Sequence, residues 1–159
     1  MFDMGIMSAR AAVNITVVGL GSATYHVASQ LADRFGFIST NEKTVPEHRR
    51  RIKAMGFSDH ILSMRELNIP ILESIERKEE MEDKFVEIAR RQISEEGAEL
   101  IISGSGSIFP ALGTGSRERI EKKLGVPVLE GSGIALKTLE LMVNLKLTQS
   151  KKSYPSPRE

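Results

Sequence analysis

Apolar positions along this chain alternate between short β-branched runs and longer stretches with helical spacing. Residues 14–18, "NITVV", are β-branched and apolar and predict a buried strand. Gly19-Leu20-Gly21 follows, with Ser22 as the expected N-cap of a helix whose Tyr25, Ala28, Leu31, Ala32 and Phe35 recur on one face. "GFIST" (36–40) reads as a second strand, and Pro46 opens a helix through "EHRRRIKAM" that stops at Gly56. Residues 60–67 form a weaker strand. Residues 79–96 give the clearest helix, with Met81, Phe85, Ile88 and Ala89 together, acidic residues at its start and Arg90 and Arg91 toward its end. Gly97 ends it, and "AELIIS" (98–103) is a third buried strand. A short helix over 116–125, a fourth strand over 126–130 and a last helix over 134–147 complete the pattern, before a polar, proline-bearing tail expected to be peripheral.

Strands alternating with helices predict an α/β fold, a parallel sheet with helices on both faces. Ligands in such sheets bind beyond the carboxyl ends of the strands. Four loops fall at such ends: "GLGSAT", "STNEKT", "SGSGSIFP" and "EGSG". The first resembles a dinucleotide-binding turn, with Glu42 at a distance suited to a ribose hydroxyl, but Thr24 stands where the third glycine belongs. A tight strand-to-helix turn explains it as well. The loop "ISGSGSI" (102–108) alternates Gly104 and Gly106 with Ser103, Ser105 and Ser107. Glycines admit a ligand to the backbone, and amides and hydroxyls hold an oxyanion or carbonyl; a flexible surface loop is the plainer reading. No serine there has glycines two residues to either side, so it is not a nucleophile elbow. Ser39 and Thr40 end a strand and can bind substrate or cap a turn. His26 lies beside the apolar positions of its helix, and "EHRRR" (47–51) reads as a solvated face.

The 159 residues fit one domain, and 40% hydrophobic content fits a globular one. A net charge of +1 gives no electrostatic reason to expect nucleic acid or an anionic membrane as partner. Neither a membrane span nor a signal peptide is apparent, so a cytoplasmic protein is expected. The chain has no cysteine, which excludes disulfides and thiol chemistry from its own residues, and its three histidines lack metal-ligand spacing.

Taken in order, "VVGLGSATYHVASQLADRFGFIST", "TVPEHRRRIKAMG", "GAELIISGSGSI", "LGVPVLEGSGIALKTLELM" and "SKKSYPSP" resemble the aspartate/glutamate/hydantoin racemase family, nearest to its hydantoin branch. The resemblance implies a cofactor-independent reaction. Two cysteines face each other between two α/β lobes and move a proton next to a carbonyl of a small substrate, a hydantoin or amino acid. It places Ser105 at the second cysteine of the family. It also divides the chain into a linker and helix remnant of a first lobe (1–13), a second lobe (14–125), a strand and helix returning to the first lobe (126–147) and a tail (148–159). Most of the first lobe, with its cysteine, is then absent. The implied pocket comprises Gly21, Ser22, Ser39, Thr40, Gly104, Ser105, Gly106 and Ser107, with His26 as a further candidate for proton exchange. A hydroxyl is a far weaker acid than a thiol, so the two-thiol mechanism is not open to this chain and an impaired enzyme is expected. Leu129, Ile134, Leu136 and Leu139 are expected to lie on an exposed face, covered in a homo-oligomer or by a partner chain. A nucleotide-binding module built on the Gly19–Gly21 turn is the alternative from a different class.

Overall fold

A computed structural model describes residues 3–157. Helix α1 (Ile6–Ala12) is followed by α2 (Leu20–Ala28), β1 (Phe35–Ser39), α3 (Val45–Ala54), β2 (Ile61–Glu66) and α4 (Lys78–Glu96). Then come β3 (Leu100–Ser103), α5 (Ile108–Leu112), α6 (Ser116–Leu124), β4 (Val128–Leu129) and α7 (Gly131–Asn144). The strands form one four-stranded sheet in the order β2-β1-β3-β4, and every pairing is parallel.

Alternation along the strands feeds two cores. Phe35, Phe37, Leu100, Ile102 and Leu129 face Tyr25 and Ala28 of α2 and Ile52 of α3. Ile38, Ile101 and Val128 face Met81, Phe85 and Ala89 of α4 and Ile120 of α6. Helix α4 forms as its periodicity predicts, and Gly97 ends it in the left-handed conformation at φ 77°. Pro46 lies in the first turn of α3.

Three expectations change. Residues 14–18 join no strand: Ile15 is 73% exposed, and the run passes outside the sheet. A β-branched run becomes a strand only where it is paired, and residues 14–18 pair with neither edge strand of the sheet, β2 or β4. The fourth strand, β4, pairs with β3 through Ile101↔Val128 and Ile102↔Leu129. Consequently Leu129 is buried and Ile134 packs on the core, and of the four residues expected to be exposed only Leu136 lies fully open. Finally, Ser22 is not the N-cap. Helix α2 begins earlier, with Gly19 as cap, and ends at Ala28, which leaves Leu31 outside it and exposed.

The tail is anchored rather than loose. Lys151 Nζ donates to the carbonyls of Arg10 (3.1 Å), Ala11 (2.8 Å) and Val13 (2.7 Å). Arg10 in turn donates to the Tyr154 hydroxyl at 3.2 Å. No helix among the described residues is long and apolar enough to cross a membrane.

Candidate functional site at the strand ends

The sheet order changes direction between β1 and β3, and the crevice beyond that switch point is where an α/β sheet receives a ligand. Gly104 follows β3, and its N–H donates to the Ile38 carbonyl at 2.7 Å, so the two strand ends are drawn together. A side chain at Gly104 would press on the buried Phe37 ring, 2.6 Å from Cζ, and come within 3.0 Å of the Ile38 oxygen. Glycine is therefore a packing requirement there.

Beyond Gly104 the serines form a hydrogen-bonded chain. Ser103 Oγ donates to the Ser105 carbonyl at 3.0 Å. The hydroxyls of Ser105 and Ser107 lie 2.7 Å apart, and the Ser107 N–H donates to Ser105 Oγ at 3.3 Å. Ser105, Gly106 and Ser107 are half-buried, while Ser103 is fully buried. Leu20 and Ser132, at the first turns of α2 and α7, flank Gly106. At the end of β1, the buried Ser39 Oγ lies 2.6 Å from Thr44 Oγ1, which donates to the Asn41 carbonyl at 2.8 Å. Ser39 is therefore the donor of that pair and is committed to its own turn.

The remaining candidates disperse. Thr40 lines a surface pocket of about 270 Å³ with Asn41, Asn68, Ile69 and Pro70. Ser22 and His26 line another, of about 440 Å³, with Asp3, Met7, Arg51 and Met55. His26 stands edge-on to Phe57 at 5.1 Å, and Ser105 does not line its pocket.

Three residues near these loops were not legible as site residues. Asp3 Oδ1 and Oδ2 accept from the Gly21 and Ser22 amides, both at 2.8 Å. The carboxylate takes the donors that a dinucleotide phosphate would need, and the preceding segment is not a sheet strand, so the arrangement for a nucleotide is not formed. Glu130 plays the same part at α7, accepting from Ser132 N at 3.0 Å and Gly133 N at 2.6 Å. The carboxylate immediately before "GSG" was a readable cap signal, whereas Asp3 lies too far along the chain from α2 for a local pattern to reveal it. His48 belongs to the charge run on α3 but is buried against the Phe37 ring at 4.7 Å. Burial pushes its imidazole down to about 4, so the ring is neutral near pH 7. Its spacing from Ile52, the other buried residue of α3, was the available signal.

Tyr25 is fully buried between α2 and the sheet, and burial, followed by the nearby Asp3 carboxylate, raises its phenol above the ordinary range. Among the described residues no group of three or more metal-ligating side chains is gathered.

A parallel layer with glycines and hydroxyls at its switch point is a scaffold for holding a small polar molecule by amides and hydroxyls. The family model of Asp/Glu/Hydantoin racemase matches residues 2–139, and the chain belongs to that family. It is 30% identical to a hydantoin racemase of Rhizobium meliloti over 98% of this chain and 63% of that protein. It is 26% identical to one from Pseudomonas sp. (strain NS671) over 99% of this chain and 61% of that protein. The crystal structure of an allantoin racemase from Pseudomonas fluorescens superposes with a TM-score of 0.90 and 29% identity, covering 99% of this chain and 66% of that one. An allantoin racemase from Klebsiella pneumoniae gives 0.90 and 28%, over 99% and 63%. The chain thus spans under two thirds of the length of the curated relatives it matches.

Proposed function

We propose that this chain holds a small carbonyl compound of the hydantoin class at the carboxyl ends of β1 and β3, and does not by itself racemise it. The observation that carries the reading is the Ser105 hydroxyl, half-buried at the switch point and 2.7 Å from the Ser107 hydroxyl. Relatives described as hydantoin and allantoin racemases support the substrate class, because allantoin is itself a 5-substituted hydantoin. Loop amides and the paired hydroxyls donate to the ring carbonyl beside the carbon that bears the exchangeable proton, where charge develops as that proton leaves. A serine hydroxyl is too weak an acid to act as a standing base without a neighbour to activate it, and the groups bonded to Ser105 are another hydroxyl and an amide. Binding therefore persists where the family's thiol chemistry is absent from the chain's own residues.

The test is proton NMR of a 5-substituted hydantoin in deuterated buffer. The expected result is saturable broadening of the ligand signals, weakened by Ser105→Ala, with the ring-carbon proton lost at the rate of the protein-free blank. Exchange well above the blank that falls in Ser105→Ala would make the chain an active proton-transfer enzyme. Unbroadened signals at millimolar ligand would remove the substrate class.

A further inference from the structure

Helix α1 buries none of its residues, yet hydrogen bonds fix it at both ends. Ahead of it, Asp3 accepts from the Gly21 and Ser22 amides of α2 at 2.8 Å. At its other end, Lys151 Nζ donates to the carbonyls of Arg10, Ala11 and Val13. Held in this way, α1 stands off α3, and a cavity of about 440 Å³ lies between them alongside α2. Protein interiors are close-packed, so a gap of this size is more than a packing fault. It falls within the range of small-molecule sites, about 300–1,000 Å³.

The lining says what the cavity suits. Ile6, Met7, Ala54 and Met55 make part of its wall apolar, and the two methionines adapt to an irregular body. Arg51 uses Nε on Glu47 Oε1 at 2.8 Å, and among the described residues its two terminal nitrogens donate to nothing. Arg10 uses Nε on the Val17 carbonyl and Nη1 on the Tyr154 hydroxyl, both at 3.2 Å, which leaves Nη2. His26 Nδ1 lies 2.7 Å from the Ser22 carbonyl. A carbonyl only accepts, so Nδ1 carries the ring hydrogen and Nε2 of the neutral ring remains an acceptor. Two guanidinium groups therefore line the cavity against one carboxylate, that of Asp3, whose oxygens already accept from amides.

Unused guanidinium donors suit an anion, and a carboxylate matches their planar fork with two oxygens. The bare Nε2 suits an N–H on the same ligand, and the apolar wall suits a hydrocarbon or thioether side chain. We infer that the cavity between α1, α2 and α3 is a binding site for a small carboxylate with an apolar body and an N–H beside the carboxyl-bearing carbon, the pattern of an N-acylated apolar amino acid. None of Ser39, Gly104, Ser105 and Ser107 lines it. The inference therefore goes beyond hydantoin binding and holds whether or not the strand-end loops bind that ligand. The ligand classes also differ, since a hydantoin ring has no carboxylate to offer the two guanidinium groups.

The experiment is titration of the full chain, labelled with nitrogen-15, with N-acetyl-leucine at low ionic strength, followed by amide chemical shifts. The expected result is saturable shifts in α1 and in residues 22–26 and 51–56, with residues 105–107 unmoved. Arg51→Gln weakens binding roughly tenfold, the loss expected of a charge-assisted hydrogen bond, and His26→Phe, which keeps a ring beside Phe57, weakens it about threefold. Ser105→Ala leaves it unchanged. In the wild-type chain N-acetyl-leucinamide, which lacks the charge, and 4-methylpentanoate, which lacks the N–H, both bind more weakly than the acid, so the ligand class is tested without any variant. Absence of saturable shifts at millimolar ligand overturns the proposal. So does equal binding of the acid and the neutral amide, or unchanged affinity in either Arg51→Gln or His26→Phe. Shifts centred on residues 105–107 that vanish in Ser105→Ala overturn it too, and assign the carboxylate to the strand ends.

Discussion

Asp3 stands to Gly21 and Ser22 as Glu130 stands to Ser132 and Gly133: each carboxylate accepts from two successive amides at the opening of a helix. Both satisfy donors that a helix start leaves open, and both place negative charge at the positive end of the helix dipole. Asp3 also joins distant parts of the chain, since it holds α1 against the start of α2 from a backbone position with φ 47°.

Removing either cap is expected to cost about 1 kcal/mol, a loss of about 2–4 °C in Tm for a chain of this size. Asp3→Ala and Glu130→Ala both show it in thermal unfolding followed by circular dichroism. Asp3→Asn keeps an acceptor and loses the charge, so its loss is smaller. A wild-type melting temperature in Asp3→Ala would mean that water serves the Gly21 and Ser22 amides as well as the carboxylate does.

Gly104 and Gly106 look alike in the sequence and differ in the structure. A methyl group at Gly104 meets the fully buried Phe37 ring and the Ile38 carbonyl. At Gly106 it meets only the tips of Leu20, at 3.2 Å, and Ser132, at 3.4 Å. Gly104→Ala is therefore expected to destabilise by about 2–3 kcal/mol, because neither neighbour can give way without moving a strand. Gly106→Ala is expected to cost under about 1 kcal/mol. Urea titrations of the two variants check the contrast, and equal midpoints would refute it.

His48 sets a pH dependence. Burial holds its folded value down to about 4, against an ordinary imidazole value of 6.5. Between those values the unfolded chain binds more protons at this site, so stability is full above about pH 6.5 and declines as pH falls toward 4. The decline amounts to roughly 2–3 kcal/mol. Glu82, held down to about 2 first by Arg119 and also by Lys123, acts below that window, between its ordinary value and pH 2. Urea unfolding at pH 7 and pH 4.5 measures the His48 contribution. His48→Gln should flatten the difference even if it lowers stability at both pH values; an unchanged slope would assign the effect elsewhere.

What the sequence disclosed follows from the range of each signal. The segments β1, β3 and α4 were readable because their residues carry their own instructions: an apolar run closing on Ser39 or Ser103, or a helical stripe from Met81 to Ala89 ended by Gly97. Residues 14–18 have the composition of a strand, but a ladder also requires a partner, and pairing is not written locally. His48 was hidden by the arginines around it, since a charge run conceals a single buried position. The loop holding Ser105 was found from its alternation of glycine and serine. That Thr40 and His26 would line pockets of their own could not be found that way, because the His26 pocket depends on how α1 and α3 pack and the Thr40 pocket on where the segment 68–70 returns beside β1.

Ser105 offers the sharpest test of the chemistry. Ser105→Cys places a thiol, with a reference pKa of about 8.5, in the strand-end loop proposed to hold the substrate. A single base on one face returns its proton to the face it came from. The variant is therefore expected to exchange the ring-carbon proton of a single-enantiomer 5-substituted hydantoin for deuterium well above the wild-type rate, rising with pH toward about 8.5. Configuration is retained meanwhile, so exchange outruns loss of optical rotation. Proton NMR and polarimetry on the same sample separate the two rates. Equal rates of exchange and racemisation would mean that a second proton donor already faces residue 105 from the opposite side, and one-sided chemistry would then be the wrong description of this loop.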